Sequence, residues 1–225
     1  MPRVFVYIIT SVDAHYHVKK GCVPWVAEEK VFLGPCKMFM RPEVEEGDYI
    51  MGISPAGRTR RVLLWMHVDT LMTFADAYQR GDSDRLFRLA RGNAIHVRPK
   101  EVGKHVRGNP ELYEHISGAM HPDNWREDVA GGGDRFLYGA SGSWVAEEEG
   151  PVVTEELITL LHGRISWRGL QTIQNPLTEN AIGKHVRLTG DTACRVIAWV
   201  SEPGKRVFSS PPKDDIVTAI APANS

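Results

Sequence analysis

A set of basic and polar side chains surrounds the first predicted hairpin. In the stretch CKMFMRPEVEEGDYIMGISPAGRTRRVLLWMHVD, residues 36–69, the side chains that could hold an anion are Lys37, Arg41, Ser54 and Arg58. Arginine binds phosphate through two parallel hydrogen bonds, lysine supplies a point charge, and the N–H groups of a Gly/Pro turn add donors. The pattern indicates a local phosphate site. A solvated hairpin tip explains the same charges, and the sequence leaves both interpretations open.

An aromatic strand followed by small residues is the second candidate, DRFLYGASGSW at 134–144. Alternation predicts that one set of its side chains enters the core, while Gly139 and Gly142 let a ligand approach the backbone. An aromatic ring beside N–H donors suits a nucleobase, so Tyr138, or Trp65 of the first hairpin, is expected near a base. A core strand with a flexible turn is the alternative interpretation.

Three residues are candidates for acid or base chemistry, namely Asp48, Asp69 and His121. Nine histidines are present, but no HExxH or other tight ligand spacing appears, so we expect no metal site. Neither a GxxxxGK[ST] nor a GxGxxG pattern opens a helix after a strand, and we expect no cofactor.

The composition limits the possible partners. The chain has 225 residues, 42% of them hydrophobic and 24% charged, with a formal net charge of -1. Binding long nucleic acid over a broad surface needs many cations on one face, and the near-neutral net charge disfavours such a surface. A small basic pocket is compatible with this net charge. Three cysteines without a CxxC pair favour a reducing compartment. No run reaches the roughly 20 apolar residues of a membrane span, so we expect a cytoplasmic protein with no membrane partner.

The periodicity predicts an α+β fold. β-branched and aromatic runs at 3–10, 49–54, 61–69, 134–141 and 143–147 read as strands, with the second and third forming an antiparallel hairpin. TLMTFADAYQ reads as a helix capped by Thr73 and ended by Gly81, and TEELITLLHG as a second helix capped by Thr154. Residues 92–133 read as long loops around short elements, and CRVIAWV as a late strand.

The order of these motifs resembles the second nucleotide-modification-associated domain family. That family is typified by a CKPxIR-like stretch, a GD(W/Y)IxG strand, a V-D-x-x-x-T-F-x-x-Y helix entry and a late aromatic strand ending in glycine. The resemblance covers residues 3–162. The matching positions are Cys36, Lys37, Arg41, Gly47, Asp48, Gly52, Val68, Asp69, Thr73, Phe74, Tyr78, Tyr138 and Gly139.

The resemblance implies a mixed or barrel-like β core with flanking helices, similar to the PUA, ASCH and EVE-like barrels that read bases. It implies a domain over residues 1–165 and a C-terminal extension, 166–225, packed on the same core. The implied function is binding of a modified nucleotide, or of a modified base in nucleic acid, within a base-modification system. An enzyme that processes such a nucleotide and an accessory subunit that binds other proteins of the system through residues 92–133 are the alternatives.

Overall fold

A mixed β-sheet organises the protein in the computed structural model, which describes residues 1–9, 24–35, 40–54, 60–101, 107–119, 124–146, 150–161 and 185–202. The strands are β1 (Val4–Ile8), β2 (Trp25–Ala27), β3 (Lys30–Leu33), β4 (Tyr49–Ile53), β5 (Val62–Met72), β6 (Val97–Pro99), β7 (Tyr113–His115), β8 (Phe136–Gly139), β9 (Trp144–Val145) and β10 (His185–Leu188). The helices are α1 (Phe74–Arg80), α2 (Arg85–Ala90), α3 (Trp125–Val129), α4 (Glu155–Leu161) and α5 (Gly190–Ser201). Two 3₁₀ turns cover Pro110–Leu112 and Gly131–Gly133.

The main sheet has the strand order β10-β1-β4-β5-β8-β3-β2, and β9 also pairs with β5. β1 and β4 run parallel, whereas the other neighbouring pairs are antiparallel. The α+β class and the mixed sheet are therefore confirmed. A barrel requires its end strands to pair with each other. Within the described ranges β10 and β2 are unpaired ends, so the sheet is not a closed barrel.

The central strands β1 and β4 and the first half of β5 are continuous apolar runs. β1, β4 and the first half of β5 read VFVYI, YIMGI and VLLWM, and nearly all of these side chains are buried. Strands covered on both faces show such continuous apolar runs. The larger hydrophobic core packs around these strands, and a second core with Phe32, Phe74, Phe87 and Phe136 forms beneath α1, α2 and α3. The larger core covers both faces of β1, whereas neighbouring residues of β3 and β8 alternate between the two cores.

The two predicted helix caps are confirmed. The Thr73 hydroxyl accepts the Asp76 N–H at 3.1 Å, and the Asp76 carboxylate accepts the Thr73 N–H in return, which is a capping box; α1 then ends at Gly81. The Leu157 N–H donates to the Thr154 hydroxyl at 3.3 Å at the start of α4. These side chains satisfy backbone donors that a helix leaves without partners.

The predicted strand CRVIAWV is wrong, since these residues lie within α5. Its buried side chains, Ala193, Val196, Trp199 and Val200, recur every three or four residues, which is the helical period. The alternation of small and large residues in that run imitates a strand. The preceding strand β10 pairs antiparallel with β1, and α5 packs against α4 and β1. The described residues 185–202 therefore extend the same sheet and core.

The longest strand, β5, links the two halves of the sheet through a bulge. Residues 62–67 pair with β4, and residues 68–72 pair with β8. Val68 lies opposite Gly139 and Thr70 lies opposite Tyr138, so Asp69 is one extra residue on the β5 side. An extra residue shifts the alternation of side chains between the two faces by one position.

Candidate functional site

Arg41 belongs to the protein core. It is fully buried, and its guanidinium donates to the carbonyl oxygens of Gly133, Arg135 (2.7 Å) and Asp128 (2.9 Å) and to the Asp128 carboxylate (3.0 Å). Its cationic centre also lies 5.5 Å from the Phe74 ring centroid. The guanidinium therefore holds the turn before β8 instead of presenting its fork to a phosphate. Lys37 and Arg58, the other predicted cations, lie outside the described residues.

Ser54 is likewise an internal residue. Its side chain is fully buried, its Oγ accepts the Arg61 N–H at 2.9 Å, and its own N–H donates to the Arg61 carbonyl at 2.9 Å. These two bonds continue the β4–β5 pairing past the irregularity at Gly52 and Ile53. Ser54 thus stabilises the hairpin that the sequence predicted, and the structure gives its hydroxyl a backbone partner.

The predicted acid or base residues lie in three different settings. Asp48 is 4% exposed, receives Arg3 Nε at 3.0 Å, and accepts the Glu45 N–H at 2.7 Å. Arg3 Nη2 lies 2.5 Å from the Asp48 carboxylate, so the two groups form an ion pair, and the hydrogen bond from Arg3 to Asp48 raises the pKa of Arg3. Asp69 is exposed at the β5 bulge and accepts the Thr70 hydroxyl at 3.0 Å. His121 lies outside the described residues.

Three rings form a row on one face of β4 and β5. Tyr49 lies 5.1 Å from Trp65 at an interplanar angle of 28° and 4.5 Å from His67 at 12°, both between ring centroids. Trp65 is 5% exposed, whereas Tyr49 and His67 are half-buried. Trp65 is therefore the buried end of the row, Tyr49 is its middle ring, and His67 is the end that is partly accessible to solvent. We call these three residues the β4–β5 ring row.

Tyr138 lies at the rim of the second core. Its ring centroid is 5.2 Å from that of Phe32 and 5.5 Å from that of Phe87, two fully buried rings, while Tyr138 itself is half-buried. Burial raises the pKa of the phenol, the Asp84 carboxylate adds to the rise, and Arg80 opposes it. The phenol is therefore neutral at neutral pH, and one part of a rigidly supported ring is open to solvent.

Lys30 provides a cation beside that ring. Its Nζ lies 5.9 Å from the Tyr138 ring centroid and donates to the Ser141 hydroxyl at 3.0 Å. Among the described residues no carboxylate pairs with this ammonium, whereas Arg80, at 5.9 Å from the same ring, is bound to Asp84. Lys30 is thus the cation beside Tyr138 that is available to pair with an anionic ligand. We call Tyr138, Lys30 and Ser141 the Tyr138 rim.

A strained hairpin positions Lys30. The turn between β2 and β3 consists of Glu28 (φ 46°) and Glu29 (φ 62°), both in the left-handed region. Two positive φ angles define the type I′ turn, which normally uses Asn and Gly because larger residues clash there. The strong twist of this turn places Lys30 at the start of β3, opposite Ala27. The sequence reasoning missed Lys30, although the short strands on either side of Glu28-Glu29 are a hairpin signal.

The turn after Tyr138 is anchored to the ring row. Ser143 Oγ accepts the His67 N–H at 3.0 Å, and the Ala140 N–H donates to the His67 carbonyl at 2.8 Å. The Ser143 hydroxyl thus takes the place of a backbone carbonyl as the acceptor for the His67 N–H, between the end of β8 and the start of β9. Gly142, at φ 87°, takes a backbone conformation that favours glycine. The predicted GASGS turn therefore connects the Tyr138 rim with the backbone beneath His67.

A buried polar centre holds part of the long middle segment, and no sequence motif indicated it. The fully buried Asp134 carboxylate accepts the Phe74 N–H at 2.9 Å, the Gly108 N–H at 3.2 Å and the Tyr113 hydroxyl at 2.8 Å. His96 Nε2 lies 3.7 Å from the Asp128 carboxylate and is also fully buried. These groups fix Gly108 and Tyr113 against the start of α1 through Asp134, and a buried imidazole does not reach an external substrate.

Comparisons with known proteins add no assignment. The chain matches no known family model, and neither a curated protein nor a solved structure is significantly similar to it. The family resemblance and the PUA-like fold therefore stay predictions. Within the described ranges, no group of three or more His, Cys, Asp or Glu side chains could hold a metal ion, and no helix has the length and apolar character needed to cross a membrane.

Proposed function

We propose that this protein binds a nucleotide, or one base of a nucleic acid, at the Tyr138 rim, and that the preferred base carries a modification. The observation that carries the proposal is the half-buried Tyr138 ring with the Lys30 ammonium 5.9 Å from its centroid, which has no carboxylate partner in the part of the chain that the structure describes. Nucleobases stack on aromatic rings, and a neighbouring cation attracts the phosphate. Tyr138 takes the base and Lys30 the phosphate.

The rim is built so that binding needs little reorganisation. Phe32 and Phe87 fix the Tyr138 ring from the core side, and the β2–β3 hairpin fixes the start of the Lys30 side chain. Ser141 holds the ammonium through a neutral hydroxyl, which a phosphate oxygen can replace without breaking an ion pair to any described residue. Preorganised groups lose less conformational entropy on binding. The modified-base preference rests on the family resemblance alone.

Isothermal titration with ordinary and modified mononucleotides tests the proposal. Tyr138→Leu should weaken binding, because base stacking on an aromatic ring is worth about 1–3 kcal/mol, whereas Tyr138→Phe should retain it. Lys30→Gln should lower the affinity about tenfold, since a hydrogen bond to a charged group contributes about 1.5–3 kcal/mol. Lys100→Gln is the matched control, because Lys100 is an exposed lysine next to β6 and loses the same charge.

Each alternative function has its own outcome in this assay. If no nucleotide of the panel binds the folded wild-type protein, the proposal is wrong and the accessory-subunit hypothesis gains weight. If a nucleotide is converted during the titration, the protein is an enzyme acting at this site. Equal binding of modified and ordinary bases would remove the modified-base preference but keep the site.

A further inference from the structure

The two aromatic features of the site lie on the same face of the sheet. Opposite residues of paired strands share a face, so Thr70 shares a face with Tyr138, and His67 with Tyr49. Val68 lies opposite Gly139, which neighbours Tyr138 and so points to the other face. His67, next to Val68, therefore lies on the face of Tyr138. Without the bulge at Asp69, the two rings would lie on opposite faces.

The separation along β5 sets the spacing of the two features. Val68 and Thr70 lie opposite adjacent residues of β8, so His67 and Thr70 are only about two rises of roughly 3.3 Å apart along β5. Tyr138 lies one strand spacing of roughly 4.8 Å to the side, which places the two positions about 8 Å apart in the sheet. Consecutive nucleotides of one duplex strand are only about 3.4 Å apart along the axis. Stacked neighbouring bases cannot occupy both positions at once, whereas an unstacked single strand can place one base at each.

We infer that the ligand of this surface is single-stranded nucleic acid, with one base on Tyr138 and a second on His67 at the end of the β4–β5 ring row. This inference rests on the proposed function and specifies its substrate class. His67 suits the role because Tyr49 stacks on it at 4.5 Å and Trp65 stacks behind Tyr49, so the ring is supported while partly exposed. The contact between Ser143 and the His67 N–H ties the two positions together.

The charge balance agrees with a ligand held mainly by stacking. The chain has a formal net charge of -1, and Lys30 is the rim cation without a carboxylate partner among the described residues. Duplex binding relies on many phosphate contacts, whereas single strands are also held by stacking on aromatic rings. The exposed Asp69 lies between the two positions in the strand and disfavours a phosphate there. The sugar-phosphate chain is therefore expected on the Lys30 side.

A length series tests the inference with thymidine monophosphate, oligothymidylates of two to six nucleotides and a twelve-base-pair duplex as probes, in about 150 mM salt. The affinity should rise roughly tenfold or more between the mononucleotide and the hexamer, which corresponds to one additional stacked base. A hexamer whose internal positions are abasic keeps the phosphates but should lose this gain. The duplex should bind more weakly than the hexamer.

Variants at His67 separate the inference from the proposed function. His67→Ala should lower hexamer affinity roughly tenfold and leave mononucleotide affinity unchanged, and His67→Phe should restore the hexamer affinity because it keeps a ring. Tyr138→Leu should weaken both ligands. A urea midpoint equal to that of the wild type verifies that each variant is folded.

The outcomes are distinct. If the mononucleotide binds but length, abasic substitution and His67→Ala change nothing, the second position is refuted while the proposed function stands. Equal or tighter duplex binding also refutes the inference. If no thymidylate of the series binds and no ordinary or modified mononucleotide of the panel binds either, the proposed function itself fails.

Discussion

Replacing Arg41 tests the assignment of this residue to the core. Arg41→Met removes the guanidinium that pairs with the Asp128 carboxylate and the donor that Arg41 gives to the Arg135 carbonyl, whereas the Gly133 carbonyl keeps the Arg135 N–H as a donor. Removing one partner of a buried ion pair costs about 3–5 kcal/mol, and each buried acceptor left without a donor adds about 1–3 kcal/mol. The methionine chain recovers part of the packing. We therefore expect the free energy of unfolding to fall by at least about 4 kcal/mol.

Urea unfolding followed by circular dichroism measures this loss. With a denaturant slope of about 2 kcal/mol per molar urea, the midpoint should fall by about 2 M. Arg126→Met is the matched control, because Arg126 belongs to α3 next to Asp128 but its side chain is 61% exposed. A surface change of this kind should stay within about 0.5 kcal/mol of the wild type.

A double substitution identifies the source of the loss. Adding Asp128→Asn to Arg41→Met removes the buried negative charge that Arg41 balanced, so the double variant should be more stable than the sum of the two single changes predicts. The reasoning would be refuted by an Arg41→Met protein within about 1 kcal/mol of the wild type. If that stable protein had also lost nucleotide binding, Arg41 would be a ligand-binding residue, as the sequence first indicated.

Three further predictions concern other parts of the molecule. Burial and the Asp134 carboxylate raise the pKa of Tyr113, so the folded state keeps a proton that the unfolded state loses above about pH 10. Stability should fall as pH rises through that value, by up to about 1.4 kcal/mol per pH unit, and Tyr113→Phe should reduce this slope in urea titrations from pH 8 to pH 11. Replacing Glu28-Glu29 by Asn-Gly should raise the free energy of unfolding by about 1–2 kcal/mol, because it relieves two left-handed glutamates, whereas Ala-Ala, which removes the same charges, should not. Asp69→Asn should tighten hexamer binding about threefold, since surface charge repulsion is worth about 1 kcal/mol or less, and weaker binding would contradict the proposed strand path.

Local chemistry determined the elements that the sequence predicted correctly. A capping box at Thr73 and Asp76, a cap at Thr154 and the apolar runs of β1, β4 and β5 depend on residues within a few positions of one another. Periodicity failed in CRVIAWV, where small residues alternate with large ones although the buried face repeats at the helical period. Alternation over seven residues fits both patterns, so packing against α4 and β1 decided the outcome.

The site depended on contacts between distant parts of the chain. The sequence alone identified Tyr138 as a candidate ring and Arg41 as a candidate cation. Only the tertiary structure buries Arg41 against Asp128, Gly133 and Arg135, which are 87 to 94 positions later in the chain. It likewise brings Lys30 next to Ser141, which is 111 positions away in sequence. A guanidinium is equally compatible with a surface phosphate and with buried carbonyls, and the difference lies in which backbone groups the fold leaves without partners. The face that Tyr138 and His67 share was decided by one extra residue in β5, which no local pattern reveals.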